Sequence, residues 1–147
     1  MRLIQTLLLT AAVAASAALA HTDEYLDTQK APNGGQLRMA GVWHFELLAK
    51  DGEAVTVFVT DHAGTKISTA GATGTATILS GKDRTTVTLK SDGDNRLKGV
   101  GKYASTPDMK VVVSIALPGK VAEQARFTPL KALAIEANSH KMDRMQH

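Results

Sequence analysis

The feature that most constrains this chain is a series of short stripes in which every second residue is apolar. The clearest stripe consists of Val111, Val113, Ile115 and Leu117. A period of two residues places alternate side chains on opposite faces of a β-strand, so that one face can be buried. Turn residues such as Asp51-Gly52 and Pro118-Gly119 separate the stripes at intervals of about eight to twelve residues, which is typical of an all-β domain.

Nine segments have this strand pattern: 36–39, 42–49, 54–60, 65–68, 74–79, 84–90, 96–101, 109–117 and 122–128. We expect residues 34–128 to fold as a single small antiparallel β-sandwich of the immunoglobulin-like kind. Asp51-Gly52 predicts a tight hairpin turn between two of the strands. The alternation then ends, and residues 129–147 predict a C-terminal tail that is loose or forms a short helix.

Residues 1–20 have the order of a secretory signal peptide. A positive charge at Arg2 precedes a mostly apolar run, and residues 18–20 (Ala-Leu-Ala) form a small-x-small cleavage site. The apolar run is shorter than the roughly 20 residues of a membrane-spanning helix, which argues against an anchor. We therefore expect cleavage at this site, export to the periplasm and no membrane insertion of the mature chain. Residues 21–33 are polar without periodicity and predict a flexible lead-in.

Composition excludes several classes of protein. The 147 residues carry 17 Lys and Arg against 14 Asp and Glu, and the net charge of +3 is too small to favour binding to nucleic acid. No cysteine is present, which excludes disulfides, thiolate metal sites and cysteine nucleophiles. The serines stand in no nucleophile-elbow context, and neither a phosphate-binding loop nor a His-Glu-x-x-His pair occurs. We therefore expect a protein without enzymatic activity.

The C-terminal tail contains a dense set of residue types that bind metal ions: His140, Met142, Met145 and His147. Imidazole and thioether groups together suit copper, and the soft thioether favours Cu(I). On a regular helix the two histidines would share a face about 10 Å apart, with the two methionines on another face. A single ion would therefore need an irregular tail, whereas two ions or two chains are other arrangements. A merely polar tail is the alternative.

His21 becomes the N-terminal residue if cleavage follows Ala20, and its α-amine and ring nitrogen could then chelate a metal ion together. A metal ion can displace the proton of an α-amine, whose pKa is about 8, near neutral pH. His44 or His62 could complete such a copper site. Alternatively, His21 is simply the residue after a cleavage site, and His44 is a hydrogen-bonded strand residue. His62 follows Asp61, whose side chain can cap a turn, so turn formation is the alternative there.

Three short motifs carry a resemblance to known proteins: Gly34-Gly35, His44-x-Glu46 and Thr60-Asp61-His62-x-Gly64. Residues 31–120, which contain these motifs, resemble a group of small exported proteobacterial proteins. They are also similar to domains found with periplasmic components of heavy-metal efflux systems. The resemblance implies metal handling in the periplasm, with an efflux component as a partner, and it implies no catalytic residue.

Together these features predict a periplasmic metal-binding or metal-resistance accessory protein. We expect it to buffer copper ions or hand them over through His and Met ligands, which are His140, Met142, Met145, His147, His21, His44 and His62. The alternative is a periplasmic interaction module that docks on an efflux or envelope component without binding metal.

Overall fold

The computed structural model describes residues 21–131 and Met142. Within this part of the chain, one short helix, α1 (Asp23–Asp27), precedes eight strands. The strands are β1 (Gln36–Ala40), β2 (Trp43–Leu48), β3 (Ala54–Thr60), β4 (Thr73–Ser80), β5 (Asp83–Ser91), β6 (Arg96–Val100), β7 (Lys110–Ala116) and β8 (Glu123–Phe127). Eight of the segments with the alternating pattern are therefore strands. The remaining segment, 65–68, contributes only an isolated bridge between Thr60 and Lys66.

The eight strands form one antiparallel sheet in the order β1-β2-β3-β6-β5-β4-β7-β8. Strands β6 and β5 pair over a short stretch, in which Lys98 lies opposite Lys90. This pairing joins the first four strands of the sheet to the last four. The two edge strands, β1 and β8, approach each other, and the Gln36 Oε1 accepts a hydrogen bond from the Thr128 main-chain N at 2.8 Å. The sheet is therefore nearly closed around its apolar interior.

The prediction of an all-β antiparallel domain is confirmed, but the immunoglobulin-like sandwich is not the arrangement found, because the strands form one sheet rather than two facing sheets. Alternation along a strand specifies which side chains are buried, not which strands become neighbours. Neighbours are set by contacts between residues that are distant in sequence, such as the pairing of Phe58 on β3 with Arg96 on β6.

Inward-facing side chains fill the interior of the sheet. On β3, Val55, Val57 and Val59 are fully buried, while the residues between them are partly exposed. Phe45 and Leu47 are the corresponding buried residues on β2. Complete burial of a side chain of this kind stabilises a fold by about 1.5–3 kcal/mol. The core thus provides a firm framework beneath the outward-facing residues of β2 and β3.

Residues 21–33, expected to be a flexible lead-in, instead include α1, which packs against β1. Leu26 of α1 is only 3% exposed. The side chain of Arg38 on β1 is 7% exposed and forms ion pairs with Asp27 at 2.7 Å and Asp23 at 3.5 Å. A buried guanidinium needs carboxylate partners, and α1 supplies them. The polar composition of residues 21–33 did not reveal this helix, because the buried arginine that holds it lies on β1, outside the segment.

Several predictions about the two ends of the chain lie outside the described residues. These are the signal peptide over residues 1–20 and most of the tail, including His140, Met145 and His147. Met142 is helical, and 69% of its surface is exposed. Within residues 21–131, no helix has both the length and the hydropathy needed to cross a lipid bilayer.

Candidate metal centre

Three histidines from distant parts of the sequence meet beside β2. His21, His44 and His62 each offer a ring nitrogen, and these three atoms lie within 4.8 Å of one another. The Nδ1 of His21 is 3.3 Å from the Nε2 of His44. The rings of His44 and His62 stack, with centroids 4.8 Å apart and an interplanar angle of 11°. We call these three residues the histidine cluster.

Strand pairing explains why two members of the histidine cluster are neighbours. His44 on β2 lies directly opposite Thr60, the last residue of β3, and His62 follows Thr60 by two positions. The next residue on β2, Phe45, is 1% exposed and faces the interior. Because successive side chains of a strand point to opposite faces, His44 lies on the outer face, where the turn after β3 can bring His62 to it.

Hydrogen bonds to Asp61 fix the turn that carries His62. The Asp61 Oδ1 accepts hydrogen bonds from the main-chain N of Ala63 at 2.9 Å and of Thr65 at 2.8 Å. These hydrogen bonds, the one from Thr65 foremost, lower the pKa of Asp61. Gly64 has a φ of +82°, in the left-handed region that favours glycine. The turn chemistry considered as an alternative for His62 is present, and it holds this residue beside β2 rather than keeping it away.

His21 reaches the histidine cluster because α1 is anchored on β1. It directly precedes Thr22, the N-cap of α1, whose Oγ1 accepts a hydrogen bond from the main-chain N of Tyr25 at 3.2 Å. The ring centroid of His21 lies 4.9 Å from that of Tyr25 and 5.6 Å from that of His62. The ion pairs between α1 and Arg38 therefore position a residue that does not itself belong to the sheet.

The environment of His44 favours its neutral form. Burial lowers the pKa of His44, the nearby His62 and His21 lower it further, and Asp61 acts in the opposite direction. Only 8% of the surface of His44 is exposed. A neutral imidazole keeps the lone pair that binds a metal ion, so His44 is ready to act as a ligand near neutral pH.

The dimensions of the histidine cluster suit a metal ion with nitrogen ligands. Two nitrogen atoms that are each about 2.0–2.1 Å from one ion lie about 3.3 Å apart in tetrahedral geometry. The separation between His21 Nδ1 and His44 Nε2 is 3.3 Å. The largest separation in the cluster, up to 4.8 Å, requires a small inward movement, and His62 is on the exposed side. Three imidazoles would leave at least one coordination position open.

Glu46 stabilises the structure around the cluster rather than extending it. It is 3% exposed, and its carboxylate accepts hydrogen bonds from Asn33 N at 2.8 Å, Asn33 Nδ2 at 2.9 Å and Gly35 N at 3.0 Å. A Cβ atom on Gly35 would lie 2.4 Å from the main-chain oxygen of Leu47, so only glycine fits there. The glycine pair and the His44-x-Glu46 motif thus belong to one interaction that ties the segment after α1 to β2.

Met39, which is not among the predicted metal ligands, lies next to the histidine cluster in the sheet. In the pairing of β1 with β2 it lies directly opposite His44. Directly opposed residues share a face of the sheet, with Cβ atoms about 4.5–5.5 Å apart. The thioether of Met39 is therefore a further candidate ligand for a soft ion such as Cu(I). The tight β1–β2 hairpin brings it there, because Ala40 pairs with Trp43 across a turn of two residues.

Of the seven predicted metal ligands, the structure brings together His21, His44 and His62. Among the four predicted ligands of the tail, Met142 is helical and exposed, and the other three lie outside the described residues. No protein-family model, curated protein or solved structure matches this chain. The resemblance to domains associated with metal efflux therefore stays a prediction, and the function has to be inferred from the histidine cluster itself.

Proposed function

We propose that this chain is an exported, periplasmic copper-binding protein that holds a copper ion on His21, His44 and His62 for buffering or transfer. The observation that carries the proposal is the convergence of three ring nitrogens within 4.8 Å in a chain without cysteine. The His and Met residues of the C-terminal tail are further candidate ligands in this proposal.

Copper fits these donor groups better than other common ions do. Calcium and magnesium prefer oxygen ligands, whereas all three donor atoms here are imidazole nitrogens. Imidazole suits zinc, copper, iron and nickel, and Cu(II) binds most tightly among the divalent ions of this series. The thioether of Met39, opposite His44, adds a soft donor that favours Cu(I).

The location of the histidine cluster favours an ion that can be exchanged. His62 is exposed and His21 is partly exposed, so the cluster reaches the surface although His44 is buried. Structural zinc sites, in contrast, are usually closed by four protein ligands. An ion held beside the exposed His62 is accessible to a ligand from another protein, which could displace one of its ligands during transfer.

Metal titration of the chain that begins at His21 tests the proposal. Competition with chelators of known affinity would give the dissociation constants for Cu(I), Cu(II) and Zn(II). We expect His44→Gln to lower copper affinity by more than the about 10–100-fold that is typical of changing an outer-shell partner. Lys90→Gln, an exposed residue on β5, is the control. Equal copper affinity in the wild type and in His44→Gln would overturn the proposal.

Two further outcomes would assign the function differently. A chain that ends at Ser139 lacks the four candidate ligands of the tail. If this truncation abolishes copper binding while His44→Gln does not, the site lies in the tail. Weak binding by every form, combined with retention of an efflux or envelope component on the immobilised chain, would favour an interaction module without metal.

A further inference from the structure

We infer that removal of the first 20 residues completes the copper site, because the α-amine that cleavage creates on His21 becomes a fourth nitrogen ligand. The mature chain, and not its precursor, would then hold copper tightly. This inference rests on the proposed function, and it adds a ligand and a means of regulation to the same site.

The orientation of the His21 ring supports this ligand. The nitrogen that approaches His44 Nε2, at 3.3 Å, is Nδ1. In any histidine, Nδ1 is the ring nitrogen on the side of the residue's own main chain, whereas Nε2 points away from it. An ion bound between His44 and Nδ1 of His21 can therefore also reach the main-chain nitrogen of His21 and close a small chelate ring. A ring that presented Nε2 to His44 could not do this.

The position of His21 relative to α1 leaves its main-chain nitrogen outside the helical hydrogen bonds. Thr22 is the N-cap, and the first hydrogen bond of the helix runs from the main-chain N of Leu26 to the main-chain O of Thr22. His21 therefore precedes the helix, while the anchoring of α1 on Arg38 keeps it beside β2. The residues that follow His21 hold it in place, so cleavage of the peptide bond before His21 leaves this anchor intact.

The two forms of the chain differ in the chemistry of one nitrogen atom. In the precursor, the nitrogen of His21 belongs to a peptide bond, and its lone pair is delocalised into the carbonyl group. After cleavage it is an amine, which binds a metal ion once its proton is displaced. Three imidazoles and one amine provide four nitrogen donors, a set suited to the tetragonal geometry of Cu(II). Tight Cu(II) binding would thus begin only after export.

The test compares two proteins, one that begins at His21 and one that begins at Ser16 and therefore retains the five residues before the cleavage site. Both contain the same histidines and methionines. They differ in residues 16–20 and in whether the main-chain nitrogen of His21 is an amine or part of a peptide bond. Cu(II) affinity is measured by chelator competition, and the nitrogen ligands are identified by continuous-wave and pulsed electron paramagnetic resonance. We expect Cu(II) affinity to be at least about tenfold higher in the chain that begins at His21, with an amine signal absent from the longer chain. Cu(I) affinity should be similar in the two.

Equal Cu(II) affinities and identical spectra would overturn this inference while leaving the three-imidazole site in place. Absence of copper binding in both proteins would overturn the proposed function as well. His21→Ala in the chain that begins at residue 21 provides a second measurement, because it keeps an α-amine but removes Nδ1. We expect its Cu(II) affinity to fall to the level of the longer chain, and an affinity equal to wild type would also contradict the chelate.

Discussion

The two sides of the histidine cluster are held in place by different kinds of interaction. His44 and His62 are fixed by the pairing of β2 with β3 and by the main-chain hydrogen bonds of the Asp61 turn. His21 is held by the side-chain contacts of a five-residue helix. So short a helix is not stable alone, whereas strand pairing forms together with the whole sheet. The comparison indicates that His44 and His62 are preformed, and we call these two residues the platform. The position of the third ligand, His21, depends on a few side-chain contacts.

The largest effect on the platform should come from Asp61→Ala. The substitution removes the acceptor for the main-chain N–H groups of Ala63 and Thr65, so the turn no longer holds His62 against His44. We expect copper affinity to fall by about 10–100-fold, as for outer-shell partners of other metal sites.

Asp51→Ala is a matched control for this substitution. Asp51 caps the hairpin at the opposite end of β2 and β3 by accepting hydrogen bonds from Glu53 N at 3.0 Å and Ala54 N at 2.8 Å. It should weaken the fold by a similar mechanism and leave copper affinity unchanged in a chelator competition. Equal losses of affinity in the two variants would show that the turn at Asp61 has no particular connection to the site.

The β-strands and the histidine cluster differ in how far the sequence predicts them. Alternation along Val111–Leu117 and its counterparts placed eight strands to within a residue or two, because the buried face of a strand is a local property. The same pattern did not reveal the single sheet, because the choice of neighbouring strands is not local. Met39 and Arg38 acquire their roles only through strand pairing and through contact with α1. His44 or His62 was predicted to complete a site with His21 from the chemistry of these residues and from the expected cleavage, but the sequence did not predict that all three meet or at what distances.

A smaller effect is expected when the contacts that hold His21 are removed. In Arg38→Met, Asp27 and Asp23 of α1 lose their ion pairs with the arginine, while Met fills much of the space of the arginine stem. We expect copper affinity to fall by about tenfold and amide hydrogen exchange over residues 24–28 to accelerate. The free energy of unfolding of the sheet should change little. These measurements require chelator competition and exchange detected by mass spectrometry.

Arg96→Met is the control for the arginine substitution. Arg96 forms an ion pair with Asp92 at 3.0 Å, but both side chains are nearly half exposed, and the pair lies in the β5–β6 region. Surface pairs of this kind contribute little, about 0–1 kcal/mol. Unchanged exchange over residues 24–28 in Arg38→Met would contradict the view that this arginine anchors α1.

The pH dependence of stability provides a second test of the platform. Burial lowers the pKa of His44 in the folded protein. As the pH falls through the ordinary value of 6.5, the unfolded chain therefore binds more protons than the folded protein does. The free energy of unfolding of the metal-free protein should therefore be fully retained above that pH and decrease as the pH is lowered towards the folded pKa. Urea unfolding between pH 7.5 and pH 5 measures this decrease. We expect the decrease in the free energy of unfolding to be smaller in His44→Gln. An identical pH dependence in that variant would rule out His44 as the source of the decrease.

The smallest effect concerns Met39, on the strand next to His44. If its thioether binds the ion, Met39→Leu should lower the affinity for Cu(I) more than that for Cu(II), since thioethers prefer the softer ion. The loss should remain below that caused by Asp61→Ala. Met109→Leu, at a fully buried core position, is the matched control for the change in side-chain shape. Identical Cu(I) affinities in Met39→Leu and the wild type would assign Met39 to packing alone.

The central claim is that a copper ion binds where the three histidines converge, and nuclear magnetic resonance of the histidine rings tests it most directly. The chain that begins at His21 contains all five histidines, so labelled imidazoles give separate signals for the cluster and for His140 and His147. Titration with Cu(I), which is diamagnetic, should shift the signals of His21, His44 and His62 together and saturate at one equivalent. Shifts confined to the two histidines of the tail, or no shift in any ring, would contradict the account.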